Sequence, residues 1–136
     1  MNEAKGWEGI NPDELGPPKG WTNGMLAPAG GRILLVAGQD AATAEGIVEE
    51  EDFVRQFDLA LAKTLMVVHN AGGDPASIGR MTVFVTDLDA YRESRKAIGE
   101  VWRVRMGRHY PAMALVEVSR LVDPLGKVEI EATAVI

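Results

Sequence analysis

Two short stretches hold most of the residues able to do chemistry. Along "KVEIEATAVI", residues 127–136, Glu129 and Glu131 stand two apart, so in an extended strand both carboxylates and Thr133 point one way. Val128, Ile130, Ala132 and Ala134 point the other way. A sheet face carrying two carboxylates is ordinary solvated surface if it meets water. If a second subunit covers it, desolvation raises a carboxylate's pKa and lets it position or deprotonate a water. The other stretch, "HYPAMALVEVSRL" at 109–121, sets a proline turn before a branched apolar run interrupted by Glu117 and Arg120. Glu117 reads as a partner for Arg120 or as an interface charge. Met113, just after the turn, reads either as a flexible core filler or as a pocket wall.

Other chemistries are excluded by what is missing. His69 and His109 stand forty residues apart in a chain without cysteine, so no zinc site is expected, and each reads as a surface or helix-end residue. The lack of cysteine also removes disulfides, thiol nucleophiles and thiolate metal sites. No G-x-G-x-x-G, Walker or G-x-S-x-G pattern occurs, and "AGG" at 29–31 is a turn. Neither a metal nor a cofactor is expected. Fourteen Lys and Arg against twenty Asp and Glu give a net charge of −6, which repels phosphate backbones, so nucleic acid is not expected as a partner. No apolar run approaches the roughly 18 residues of a membrane span, and the N-terminus lacks the pattern of a secretory signal, so a cytoplasmic location without a membrane partner is the default.

The elements that must hold these residues are legible from periodicity. Residues 1–24, rich in Gly, Pro, Asn and charge, read as an irregular arm that folds over the domain or onto a neighbour, ahead of a single domain at 25–136. "GGRILLVAGQ" at 30–39 carries a continuous apolar run expected as a strand buried on both faces, with 25–28 a short antiparallel partner for it. Apolar residues at Phe53, Phe57, Leu61, Leu65 and Val68 form one stripe of a helix over 49–71. The acidic residues at its start suit the helix dipole, and Gly72 and Gly73 its stop. "RMTVFVTDL" at 80–88 is the next strand, and Asp87 or Asp89 starts a second helix over about 91–105, with Ile98, Val101, Trp102 and Arg105 or Met106 inward. Two last strands follow, joined by "VDPLG" as a hairpin. The order β-β-α-β-α-β-β predicts an α+β fold, a mixed sheet with two helices packed on one face. Its other face is expected to be covered by a further subunit, and a chain this short more readily builds a site at a subunit boundary than in a private cleft.

"YPAMALVEVSRL" and "KVEIEATAV", with "LLVAGQ" at 34–39 and "TVFVTDLDAY" at 82–91, resemble the Rid family, also called the YjgF or L-PSP endoribonuclease family. The resemblance runs from about residue 20 to the end and is strongest in the last thirty residues. It implies a chorismate-mutase-like α+β subunit in a homotrimer, with a small-molecule ligand bound in clefts between subunits. In deaminating members an arginine in Pro-Ala-Arg grips the substrate carboxylate, and the first glutamate of the final strand holds the water that attacks an imine or enamine. Glu129 matches that glutamate and is the implied catalytic residue, whereas the arginine's position holds Met113. A thioether cannot replace a bidentate guanidinium, so weak or no activity on 2-imino acids is implied. The resemblance also assigns Trp21, Ala37, Gly38 and Tyr110 to the substrate-binding cleft, and Arg103, Arg105 or Arg108 is a candidate for a displaced cation. The alternatives to a hydrolase are a non-catalytic trimer that binds or senses an apolar metabolite and, with the acidic balance against it, a ribonuclease.

Overall fold

The apolar stripe at Phe53, Phe57, Leu61, Leu65 and Val68 becomes one face of an 18-residue helix in the computed structural model, which describes residues 6–136. Among the described residues the elements run β1 (Glu8–Ile10), β2 (Gly24–Leu26), β3 (Ile33–Asp40), α1 (Phe53–Asn70), β4 (Ile78–Val85), α2 (Leu88–Glu93), α3 (Arg95–Met106), β5 (Ala112–Glu117) and β6 (Val128–Val135). The acidic residues before α1 do local work, as expected. Asp52 caps the helix by accepting the Arg55 N–H at 3.0 Å, and Glu50 pairs with the Arg55 guanidinium at 2.7 Å. Gln56, fully buried, donates to the carbonyls of Glu50 and Leu125 and accepts from the Lys127 N–H, which joins the start of α1 to the entry of β6. Gly72, at φ 92°, ends the helix.

Four strands form the main sheet in the order β3-β6-β4-β5, with β6 antiparallel to both neighbours and β4 parallel to β5. The expected hairpin between the last two strands is therefore absent. "VDPLG" does turn, through Asp123 accepting the N–H groups of Leu125 and Gly126, but it delivers the chain to the sheet centre rather than back along β5. The physical reason is that β6 has neither Gly nor Pro and alternates cleanly, so it can be bonded on both edges, whereas β5 follows Pro111 and takes an edge.

One face of this sheet carries the core. Val128, Ile130, Ala132 and Ala134 of β6 and Met81, Val83 and Val85 of β4 meet Phe57, Leu61, Leu65 and Val68 of α1 and Ile98, Trp102 and Met106 of α3. The α+β layering, with both long helices on one face, matches the expectation. Met106 rather than Arg105 is the inner residue at the end of α3; Arg105 pairs with Asp58 at 2.8 Å. The second helix starts earlier than expected, where Asp87 accepts the Ala90 N–H, and breaks at Ser94.

Two other expectations are corrected. β3 is not buried on both faces: Val36 is 4% exposed, but Ile33 and Leu35 are 72% and 75% exposed because no helix covers their side. Nor does residue 25 pair with β3; β2 pairs with β1, Met25 lying opposite Gly9, while the backbone of Arg32 bonds Ile136 and carries the chain into register with β6. Gly31 permits that approach, since a Cβ there would lie 2.1 Å from Val135 Cγ1. The arm is thus less irregular than its composition suggests, although its first five residues lie outside those described. It folds over its own chain: the Trp7 indole donates to the Ser77 carbonyl at 3.2 Å and covers Gly79, and Thr22 donates to the Tyr110 carbonyl at 2.6 Å. Among the described residues no helix is long and apolar enough to cross a membrane.

The seat of the arm is testable. A Cβ at Gly79 would stand 2.2 Å from the Trp7 ring, so Gly79→Ala should destabilise by about 1–3 kcal/mol in thermal or urea unfolding. In a Trp7→Ala background the same change should cost much less; equal costs in both backgrounds would show that Trp7 does not occupy this seat.

Candidate functional site

Because β6 is bonded on both edges, its register leaves no freedom for Glu129. It sits opposite Asp40 of β3 and Phe84 of β4, and its side chain projects with Glu131 and Thr133 from the face that no helix covers. The pairing of β3 with β6 is irregular between Val36 and Gln39, so Ala37 and Gly38 stand out of the regular ladder. Ala37 is exposed, and its carbonyl accepts the Gln39 side-chain amide at 3.1 Å. Gly38 is a close-approach position: a Cβ there would lie 2.9 Å from Glu129 Cδ and 3.0 Å from Oε2. The missing side chain is the space the carboxyl uses.

The Glu129 carboxyl is held above the ordinary carboxylate range, first by burial and then by the negative charges of Asp40 and Glu131. Asp40 is itself anchored, accepting the Ala42 N–H at 3.0 Å with Lys63 3.8 Å away. A carboxyl whose proton affinity is raised, with no donor to it among the described residues, is suited to accept a proton from a water and pass it on. On the same face a hollow of about 240 Å³ is lined by Leu35, Arg80, Thr82, Glu131 and Thr133. Sequence reasoning missed Arg80, although alternation along β4 assigns it to this face together with Thr82 and Phe84.

A second group gathers at the opposite edge of the sheet. Met113 of β5 lies beside Met81 of β4, so its side chain points to the helix-covered side, away from Glu129. Tyr110 stacks on Trp102 with ring centroids 6.0 Å apart and planes within 7°, and the Trp102 indole donates to the His109 carbonyl. Met113, Leu115, Tyr110, Trp102, Tyr91 and Arg95 border a hollow of about 210 Å³ that Gly20 of the arm also reaches. Trp21 is exposed beside this group and donates to the Asn23 side chain. Within one chain, then, Glu129, Ala37 and Gly38 lie together, Met113 and Tyr110 lie together with the arm close by, and the two groups are on opposite edges and faces.

The remaining candidates resolve individually. His69 contacts the Gly73 carbonyl at 3.1 Å, a helix-end role as expected. His109 differs from its expectation: it is 3% exposed, its Nε2–H donates to the Ile78 carbonyl at 2.6 Å, and burial holds its pKa below the usual imidazole range. The turn before Pro111 folds under the edge of β4, which sequence spacing does not reveal. Glu117 forms no ion pair with Arg120 among the described residues; it accepts the Leu88 N–H at the start of α2. Arg105 is held by Asp58, and Arg103 and Arg108 are exposed and border neither of these two hollows.

Comparison with known proteins gives a single family. Residues 14–136 match the family model described as endoribonuclease L-PSP. A RutC family protein of Pasteurella multocida is 32% identical over 105 residues, 77% of this chain and 81% of that protein. TdcF of Escherichia coli, provisionally named a reactive intermediate deaminase, is 37% identical over 87 residues, 62% of this chain and 64% of its own. Its structure, solved with bound serine, superposes with a TM-score of 0.67 over 89% of this chain and 91% of that one, at 28% identity. The Rid-family protein YyfB of Yersinia pestis superposes with a TM-score of 0.82 over 96% and 99% of the two chains, at 29% identity.

The raised proton affinity of Glu129 has a consequence for stability. The folded state binds this proton more tightly than the unfolded chain, so the stability it contributes is complete below the ordinary carboxylate pKa and is lost as pH rises through the folded value. Glu129→Gln should therefore raise Tm at neutral pH and leave it nearly unchanged at about pH 4 or below. Adding Gly38→Ala, which pushes the carboxyl toward water, should shrink the difference between Glu and Gln at position 129. A lower Tm for Glu129→Gln at neutral pH would contradict this.

Proposed function

The chain belongs to the endoribonuclease L-PSP family, also called the Rid or YjgF family, and on that premise we propose that it is a small-molecule hydrolase of the deaminase kind. Its substrate is an imine, an enamine or a related electrophilic metabolite, and its sites are clefts between the subunits of a homotrimer. The observation that carries this reading is the carboxyl of Glu129, raised in proton affinity and seated against a glycine on an uncovered sheet face. Glu129 takes a proton from water as the oxygen bonds to the C=N carbon, then returns it to nitrogen. The carbinolamine collapses to a carbonyl compound and ammonia, so one water is consumed for each ammonia released.

The assembly is supported by how the candidate residues divide. β3 and β5 are the two outer strands, with Gly38 and Ala37 on one and Met113 on the other. A ring of copies brings the β3 edge of one subunit to the β5 edge of the next, joining Glu129, Ala37 and Gly38 to Met113, Tyr110 and Trp21 across the junction. Ile33 and Leu35, both largely exposed in the single chain, are suited to such contact. A bound small molecule in the related TdcF agrees with a ligand of that size class.

Met113 argues against 2-imino acids seated as in deaminating members of the family, because at that position its thioether offers no donor to a carboxylate. The same feature favours the second reading, a trimer that binds an apolar metabolite without turning it over. Ammonia release from imines generated by an amino-acid oxidase separates these readings. Wild type should be weak on 2-imino acids, and Met113→Arg should raise kcat/KM about 10- to 100-fold, the gain expected from about 1.5–3 kcal/mol of charge-assisted hydrogen bonding. For whatever imine the wild type does hydrolyse, Glu129→Gln should lower turnover about 10²- to 10⁴-fold with ligand affinity retained. No loss on Glu129→Gln, or a monomer in native mass spectrometry, would overturn the hydrolase reading.

A further inference from the structure

The break between α2 and α3 at Ser94 sets Tyr91 and Arg95 side by side at the mouth of the hollow that Met113 borders. The Arg95 guanidinium carbon lies 5.9 Å from the centre of the Tyr91 ring, a cation held over an aromatic face. Three other arginines of these helices are held by carboxylates, Arg92 by Asp89 at 3.7 Å, Arg105 by Asp58 at 2.8 Å and Arg55 by Glu50 at 2.7 Å, while Lys96 and Arg103 border no part of this hollow. Arg95 is in no ion pair among the described residues. Among the described residues it is also the only charged side chain bordering a hollow otherwise lined by apolar, aromatic and glycine residues.

We infer that Arg95 is the anion anchor of this hollow, and that the ligand class is a small monocarboxylic acid with an aromatic or branched apolar body. This deepens the proposed function by naming the group that takes the carboxylate where Met113 cannot, and it rests on that reading only for the chemistry that follows binding. The hollow's size and lining set the class. About 210 Å³ is below the roughly 300–1,000 Å³ of sites for drug-sized ligands, so it admits one ring with a short side chain and excludes a nucleotide. The stacked Tyr110 and Trp102 rings offer a flat wall, and Met113 and Leu115 an adaptable floor. Arg95 is exposed, and a guanidinium resting over a ring is pre-oriented to meet a carboxylate with two parallel hydrogen bonds, which a lysine cannot offer. Sequence reasoning passed over Arg95 for the arginines nearer Met113 in the chain, whereas the fold brings α3 back over β5.

Phenylacetate is a suitable probe, with phenylacetamide as its neutral counterpart, both titrated into the full chain by calorimetry or ligand-observed NMR. Wild type should bind phenylacetate about tenfold or more tighter than phenylacetamide. Arg95→Gln should remove that preference while leaving phenylacetamide binding unchanged, and Arg95→Lys should restore part of it. Equal affinity of wild type for the two probes, no binding of either, phenylacetate affinity unchanged in Arg95→Gln, or equal loss of both probes in that variant would each overturn the inference. The outcome is separable from the hydrolase reading. If Glu129→Gln abolishes ammonia release while Arg95→Gln binds as wild type does, the anchor fails and the hydrolase stands; the reverse pattern keeps the anchor and removes the hydrolase.

Discussion

The double bonding of β6, to β3 on one edge and to β4 on the other, is the constraint from which the rest of the arrangement follows. A strand held on both edges cannot rotate or slip by one residue without exchanging its faces. With Val128, Ile130, Ala132 and Ala134 committed to the helices, Glu129, Glu131 and Thr133 are committed to the opposite face. The carboxyl that carries the proposed chemistry is therefore positioned by the same hydrogen bonds and the same apolar burial that hold the fold together. Its raised proton affinity comes from this placement, since the strand holds it half-buried beside Asp40 and Glu131.

The price of centring β6 is that β3 and β5 become the outer strands, each with an unpaired edge among the described residues. Exposed strand edges and exposed apolar residues such as Ile33 and Leu35 are features that native proteins cover. The candidate residues divide between the two sides of the sheet, Ala37 and Gly38 on β3 with Glu129 on the adjoining β6, and Met113 on β5. One set has the carboxyl and the glycine that makes room for it; the other has aromatic walls, a thioether and an arginine in no ion pair among the described residues. In the proposed assembly each is half of a site, the first to activate water and the second to hold an apolar acid.

Much of this was legible beforehand, for identifiable reasons. α1 announced itself because an eighteen-residue amphipathic stripe has few alternatives. The sorting of Glu129 and Glu131 from Val128 and Ile130 was equally secure, because side chains alternate in any extended strand. The failures all concern which segments pair across distance. "VDPLG" has the composition of a hairpin turn, and residues 25–28 are suitably placed to pair with β3, yet neither pairing forms. His109 reads from the sequence as a surface or helix-end residue, because nothing local signals that its turn lies buried beneath β4. Arg95 and Arg80 went unnoticed because their significance lies in the hollows they border, and those are assembled from segments far apart in the chain.

The sequence by itself determined the helices, the alternation that puts two carboxylates on one side of the last strand, the thioether at position 113 and the resemblance to the family. These are properties of neighbouring residues, set by local geometry and residue type. Only the tertiary structure decided that β6 is central and β5 marginal, that Gly38 is the space for the Glu129 carboxyl, and that Met113 faces Arg95 and the helices instead of Glu129. Those outcomes depend on strand order and helix placement, which are chosen by how much apolar surface the whole chain can bury at once, and no local window contains that comparison.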